Sequence, residues 1–251
     1  MDTSEPQPTA APPTTAPPTT APLHGEPLPV ELMNTVWAGR DGVHDALGDT
    51  ADLAAWLRAV EPRLPDGLGA RSEAGTGDQA GTGRRARPSP GRPDALSASA
   101  GLPGLLAEFR RLRDALRRLA AEATADDRPA AHAANGRLDL PAAVAHLNEA
   151  CGFAPASSYL VWSPDGGGAA LRGLHSPYPA AAAALSVVAE QGVALFAGEG
   201  RAQLGACHAP GCVLYFLRTP PRRAWCSAAC GNRARVARHY HRHHDPRPHG
   251  R

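Results

Sequence analysis

Apolar and polar positions divide this chain into stretches that can bury a face and stretches that cannot. From Leu28, the segment LPVELMNTVWAG sets Val30, Met33 and Val36–Trp37 close to helical spacing, which predicts a first helix. A second is expected from Thr50, with Thr50 or Asp49 as N-cap and Leu53, Trp56, Leu57 and Val60 as its buried stripe. Pro62 and Pro65 end it. The clearest helical pattern runs from Leu102 to Ala123, with Leu105, Leu106, Phe109, Leu112, Leu116 and Leu119 on one stripe. Arg110, Arg111, Arg113, Arg117 and Arg118 lie mostly off that stripe, interleaved with Glu108, Asp114 and Glu122. The reading is a core helix with a solvated face rather than a nucleic-acid surface.

A further helix is expected over Pro141–Ala150, with Val144 and Leu147 facing inward. Tyr159–Trp162 and Ala170–Leu174, separated by SPDGGGA, predict a β-hairpin with a Gly-rich turn. The Ala-rich segment from Pro179 to Leu195, with Leu185, Val188 and Leu195, predicts the last helix of this part. The body is thus α+β and mainly helical, with one small hairpin. Two stretches carry no periodicity. Residues 1–24 are a Pro/Thr/Ala tract, and 65–101 are rich in Gly, Ser, Arg and Pro; both are expected to be disordered, because neither can bury enough apolar surface to offset chain entropy. The expected organisation is a tail over 1–24, a domain over 25–199 with an insertion at about 65–101, and a C-terminal unit over 200–251.

Charge changes the picture at that C-terminal unit. All 26 basic residues are Arg, a bias that together with the Ala, Gly and Pro excess fits a high-GC bacterial genome. The formal net charge is only +2, yet nine Arg face a single acid, Asp245, between Cys207 and Arg251. Such asymmetry suggests a polyanion-facing end on a neutral or acidic body. No run of 18 consecutive apolar residues occurs, so no membrane span is expected. The N-terminus lacks the basic start and apolar run of a secretory signal, which points to the cytoplasm. There thiols stay reduced, and clustered cysteines read as metal ligands.

Four of the five cysteines fall in the pattern C-x4-C-x13-C-x3-C: Cys207, Cys212, Cys226 and Cys230. Two short-spaced pairs are how one chain surrounds one tetrahedral zinc, and four thiolates close its coordination. Pro210 and Gly211 permit the tight turn of a zinc knuckle in the first pair. If Cys226 opens a helix, Cys230 lies one turn on and on the same face. Between the pairs, Val213, Tyr215 and Leu217 alternate with Leu214 and Phe216, then TPPRR turns the chain into an expected hairpin ending at Trp225. Knuckle, hairpin and helix in that order make a treble-clef-like zinc finger. So short a unit with so little core needs its one structural zinc, worth about 10–16 kcal/mol in small peptides. Cys151 stands apart and reads as a core residue, and His208 is not needed as a ligand.

The stretch CHAPGCVLYFL followed by RAWCSAACGNRARVARHYHRH resembles the CGNR zinc-finger family, named for the run that here is Cys230–Gly231–Asn232–Arg233. Trp225 before the third ligand, Ser227 after it and the basic helix that follows complete the likeness. The upstream part is similar to the ABATE domain, in Asn34–Thr35, the Leu53 and Trp56 pattern, the Arg-rich helix and HLNEA around Asn148. Proteins of that architecture are described as stress-responsive transcriptional regulators, so the resemblance implies DNA binding through the finger. The long insertion and the Pro/Thr tail depart from the family pattern.

The residues themselves support the same function. At 100° per residue, Arg235, Arg238, His239 and Arg242 share one stripe of the helix after Cys230, while Val236 and Tyr240 lie on another that is expected to pack on the hairpin. Arg233 either braces the zinc site or meets a phosphate. An Arg stripe on a rigid helix is the electrostatic footprint of a nucleic-acid reader. The expected function is a zinc-dependent, DNA-binding transcriptional regulator acting on duplex DNA, with the N-terminal domain sensing or dimerising. The alternative is a zinc-stabilised protein-interaction or redox-responsive module without DNA contact. An enzyme is not expected: no Gly-rich phosphate loop, Ser elbow or HExxH occurs, and a closed four-thiolate site leaves no position for water. A homodimer fits the regulator reading, and nothing in the body names a small-molecule effector.

Overall fold

The computed structural model describes residues 23–39, 42–65, 68, 102–134, 138–162 and 171–244. The tail, nearly all of the insertion and the last residues lie outside the described residues, and with them the expectations of disorder. The element order is α1 (Leu28–Met33), β1 (Val36–Ala38), β2 (Val43–Asp45), α2 (Thr50–Val60), a 3₁₀ turn (Glu61–Arg63), α3 (Leu102–Thr124), α4 (Pro129–Ala134), α5 (Leu140–Phe153), β3 (Ser157–Val161), β4 (Leu171–His175), α6 (Ala180–Ala197), α7 (Gly200–Gln203), β5 (Leu204–Ala206), β6 (Tyr215–Leu217) and α8 (Ala228–His244). The fold is α+β, with three separate two-stranded antiparallel hairpins among the described residues, β1–β2, β3–β4 and β5–β6.

Local chemistry sets the starts of α2 and α5. Asp49 caps α2 as expected, its side chain accepting from the N–H of Asp52 while the Asp52 carboxylate accepts from the N–H of Asp49. Leu53, Trp56, Leu57 and Val60 are its buried stripe. Asp139 caps α5, accepting from Ala142 N–H at 2.7 Å. The central element is α3, which packs against α1, α2, α5, α6 and β5 through Leu105, Leu106, Phe109, Leu112 and Leu116. By composition α6 is long and apolar enough to cross a membrane, yet most of it is buried in this core, packed chiefly against α5 and also touching α1 and α3.

Several expectations need correction. Val36 and Trp37 belong to β1 rather than to a first helix, which stops at Met33; Asn34 closes it and Thr35 returns its hydroxyl to the Leu32 carbonyl at 2.8 Å. Leu147 faces inward but Val144 is exposed, because α5 buries the narrower stripe Ala143–Leu147–Ala150. Arg113 and Arg117 are not on a solvated face: they are 5% and 0% exposed. Their guanidinium groups are held by partners on other elements. Arg113 forks onto Asp45 at 2.5 and 3.0 Å, and Arg117 donates to the carbonyls of Met33 at 2.7 Å and Val213 at 3.1 Å. The strand partner of β6 also differs. It pairs with β5, which precedes the knuckle, in the register Leu204↔Leu217, Gly205↔Phe216 and Ala206↔Tyr215. TPPRR therefore leads to α8 and not to a second strand, and the knuckle sits at the tip of the β5–β6 hairpin.

One apolar core runs through both parts of the molecule. Leu204, Ala206 and Tyr215 of the β5–β6 hairpin belong to the same buried cluster as α1, α2, α3 and α6. A second cluster surrounds the cysteines: Val213, Leu214, Phe216 and Ala234, with Trp37, Ala38, Ala130 and Trp225 packed against it. Trp37, Ala38 and Ala130 come from the N-terminal part, so the finger is seated in the fold rather than appended to it.

Candidate metal centre and the helix that follows it

The knuckle Cys207–Cys212 turns through Gly211, whose φ of +72° is the left-handed conformation that glycine adopts without strain. The Cys212 N–H closes the turn on the Ala209 carbonyl at 2.9 Å. On the other side, Ser227 caps α8, its hydroxyl oxygen accepting from the Cys230 N–H at 3.2 Å. Cys226 therefore stands just ahead of the helix and Cys230 in its first turn. Gly231 leaves room for the Trp225 ring, which would stand 3.2 Å from any Cβ at that position.

These turns bring the four sulfurs of Cys207, Cys212, Cys226 and Cys230 within 4.8 Å of one another, all buried. Sulfurs about 2.3 Å from a tetrahedral zinc stand roughly 3.8 Å apart. Cys212 and Cys226 are separated by 3.8 Å, and Cys226 and Cys230 by 3.4 Å. The donor set fits one zinc. Hydrogen bonds from Cys212 and Cys226 hold the Cys207 thiol far below its ordinary value, and the same bonds push Cys212 and Cys226 up. His208 is exposed and outside the cluster, and Cys151 is half-buried against the main core, where burial and the nearby Glu190 raise its thiol.

Around the sulfurs lies a layer of hydrogen-bond donors. The Cys226 N–H points to Cys207 Sγ at 3.5 Å, and Arg233 Nη2 donates to Cys230 Sγ at 3.1 Å. Arg233 is thus on the metal centre, the bracing role among its two expected ones. Arg223 donates to the carbonyls of Cys226 at 2.6 Å and Trp225 at 3.1 Å, and pairs with Glu26 at 2.6 Å.

Two residues that sequence reasoning missed complete the layer, Asp126 and Arg128. Arg128 Nη1 lies 3.0, 3.1 and 3.2 Å from the carbonyls of Cys207, Cys212 and Leu214. Its Nε and Nη2 fork onto Asp126 at 2.7 and 2.6 Å, and Asp126 also accepts from the Tyr215 hydroxyl at 2.8 Å. Burial pushes the Asp126 carboxyl up, but the bonds from Arg128 and Tyr215 prevail and hold it below the usual carboxylate range. The segment ADDRP that carries this pair gave no periodic or spacing signal.

Beyond Cys230, α8 turns Ala234 toward the metal cluster and leaves Arg235, Arg238, His239 and Arg242 exposed. Arg235 is held by the side-chain oxygen of Asn232, and Arg238 and Arg242 reach back to carbonyls one turn earlier. Among the described residues none of these three Arg forms an ion pair. Val236 and Tyr240 do not pack on the hairpin. They are 69% and 59% exposed, whereas Cys230 and Ala234 of the same helix are buried in the cysteine cluster.

A comparison with curated proteins finds no match. The family model of the CGNR zinc finger matches residues 203–243, the stretch that holds the four cysteines and α8. The ABATE family model, described as "Putative stress-induced transcription regulator", matches residues 26–199. That match covers more than half of the chain, which therefore belongs to the ABATE family and carries a zinc-binding CGNR finger behind its ABATE domain.

Proposed function

We propose that the chain is a zinc-dependent transcriptional regulator that binds duplex DNA through α8. The observation that supports this is the exposed set Arg235, Arg238, His239 and Arg242 on a helix whose first turn is fixed by Cys230. Cationic side chains in a stripe on a rigid helix are the electrostatic footprint of a nucleic-acid reader, and Arg can also take guanine bidentately in the major groove. Zinc would be held by the four cysteines and would supply no chemistry beyond fixing the start of α8; in this reading the protein is not an enzyme. One short helix buries little DNA, so tight binding calls for a homodimer presenting two helices to two half-sites. The test is titration of the zinc-loaded full-length protein with duplex DNA at two salt concentrations. If about four cations meet phosphates, log affinity falls against log salt with a slope of roughly −3 to −4. Failure to bind at low salt overturns the proposal.

The exposed Val236 and Tyr240 beside the basic stripe favour a second reading, a protein-interaction module. Charge-assisted capture of an acidic protein partner by α8, with no DNA binding at low salt, would decide for it.

A further inference from the structure

A zinc ion with four thiolates carries a net negative charge, and buried charge needs partners that orient and offset it. In this chain those partners are unevenly sourced. Arg233 comes from the finger itself. The carbonyls of Cys207, Cys212 and Leu214, by contrast, converge on Arg128, which belongs to the ABATE domain and is 8% exposed. Arg128 is in turn pinned by Asp126, and its guanidinium lies 5.1 Å from the centre of the Tyr215 ring. Arg117, also from the ABATE domain, holds the Val213 carbonyl one residue past the second ligand.

We propose that Arg128 is a positioning residue of the zinc centre, through which the ABATE domain sets how firmly the finger holds its metal. The reasoning is geometric. The carbonyls of Cys207 and Cys212 belong to the first two ligands, and that of Leu214 to the residue whose carbonyl also accepts from the Cys207 N–H at 3.0 Å. One guanidinium nitrogen gathering all three fixes the direction in which both thiolates leave the backbone. The cysteines alone would form the site; with Arg128 in place they form it without reorganising. Any change that slides α4 away from the knuckle would then loosen the metal without touching a ligand. This inference rests on the zinc centre and is independent of whether α8 binds DNA.

The experiment follows transfer of zinc from full-length protein to a chromophoric chelator, with unfolding monitored separately by circular dichroism. Groups that orient metal ligands typically change metal affinity by about 10–100-fold. Arg128→Lys keeps the charge but cannot serve three carbonyls and Asp126 together, so it is expected to release zinc on the order of tenfold faster while the helical signal is retained. Asp126→Asn, which frees the guanidinium from its fork, is expected to accelerate release by a smaller factor. Arg111→Ala, on the exposed side of α3, should release at the wild-type rate. Folded Arg128→Lys protein that releases zinc no faster than wild type overturns the proposal. Should that variant fail to fold, wild-type release by Asp126→Asn does so instead.

Discussion

The side-chain amide of Asn34 pairs with the backbone of Tyr215 on both sides, Nδ2 donating to the carbonyl at 2.9 Å and Oδ1 accepting from the N–H at 3.0 Å. Both residues are buried, and 181 positions of chain separate them. The amide serves as a one-residue strand on the free edge of β6, so the finger's hairpin is hydrogen-bonded into the first turn of the ABATE domain. Asn34→Ala leaves two buried backbone groups unsatisfied, at about 1–3 kcal/mol each. The expected outcome is a loss of roughly 2–5 kcal/mol in chemical unfolding of the whole chain, not of the finger alone. For the same reason a fragment spanning 200–251, deprived of Asn34, Arg117 and Arg128, should bind zinc but fold poorly compared with the full chain.

Zinc content is the simplest check of the metal centre. Elemental analysis of protein purified without added metal should give one zinc per chain, bound by Cys207, Cys212, Cys226 and Cys230. Cys226→Ser or Cys230→Ser should abolish stoichiometric binding, and chelation should expose Trp225 and Trp37, both packed against the cysteine cluster. A fluorescence change on zinc removal reports that exposure. Full retention of zinc by either variant would contradict the ligand assignment.

Single substitutions on α8 separate phosphate contacts from base contacts. Arg235→Ala, Arg238→Ala and Arg242→Ala should each lower the salt slope of DNA binding by about one where the contact is to phosphate. A residue that reads a base should instead cost on the order of 1–3 kcal/mol on the preferred site and relax specificity there. Arg233→Ala should behave differently from all three, weakening zinc retention through the lost bond to Cys230 Sγ.

Acid sensitivity offers a test at a distance from the metal. Burial pushes the Asp45 carboxyl up, but its ion pair with Arg113 prevails and holds it below the usual carboxylate value. A carboxylate with a lowered folded value contributes stability that is fully present above its unfolded value, near 4, and is lost as pH falls through the folded one. Asp45→Asn should therefore destabilise the protein at neutral pH and flatten the fall in stability below about pH 4. Unfolding midpoints of the two proteins measured from pH 6 down to pH 3 would show the curves converging; parallel curves would show that the pair contributes nothing.

By itself the sequence determined the features whose causes are local. Ligand spacing along a short loop places four sulfurs around one ion whatever the rest of the chain does, so Cys207, Cys212, Cys226 and Cys230 were legible. The period of apolar residues likewise specifies α2, α3 and α6, and a capping aspartate marks the start of α2. Only the tertiary structure decided which arginines are solvated. Arg111 and Arg117 look alike on a helical wheel with many charges, yet one meets Glu108 and Glu149 at the surface and the other is fully buried on the backbone carbonyls of Met33 in α1 and of Val213 just past the knuckle. Whether a guanidinium is buried depends on carbonyls delivered from 84 and 96 residues away, which no local pattern records. The same holds for Asn34, for Arg128 and for the strand that pairs with β6. Val236 and Tyr240 show the converse: their spacing suggested a buried stripe, but both are exposed.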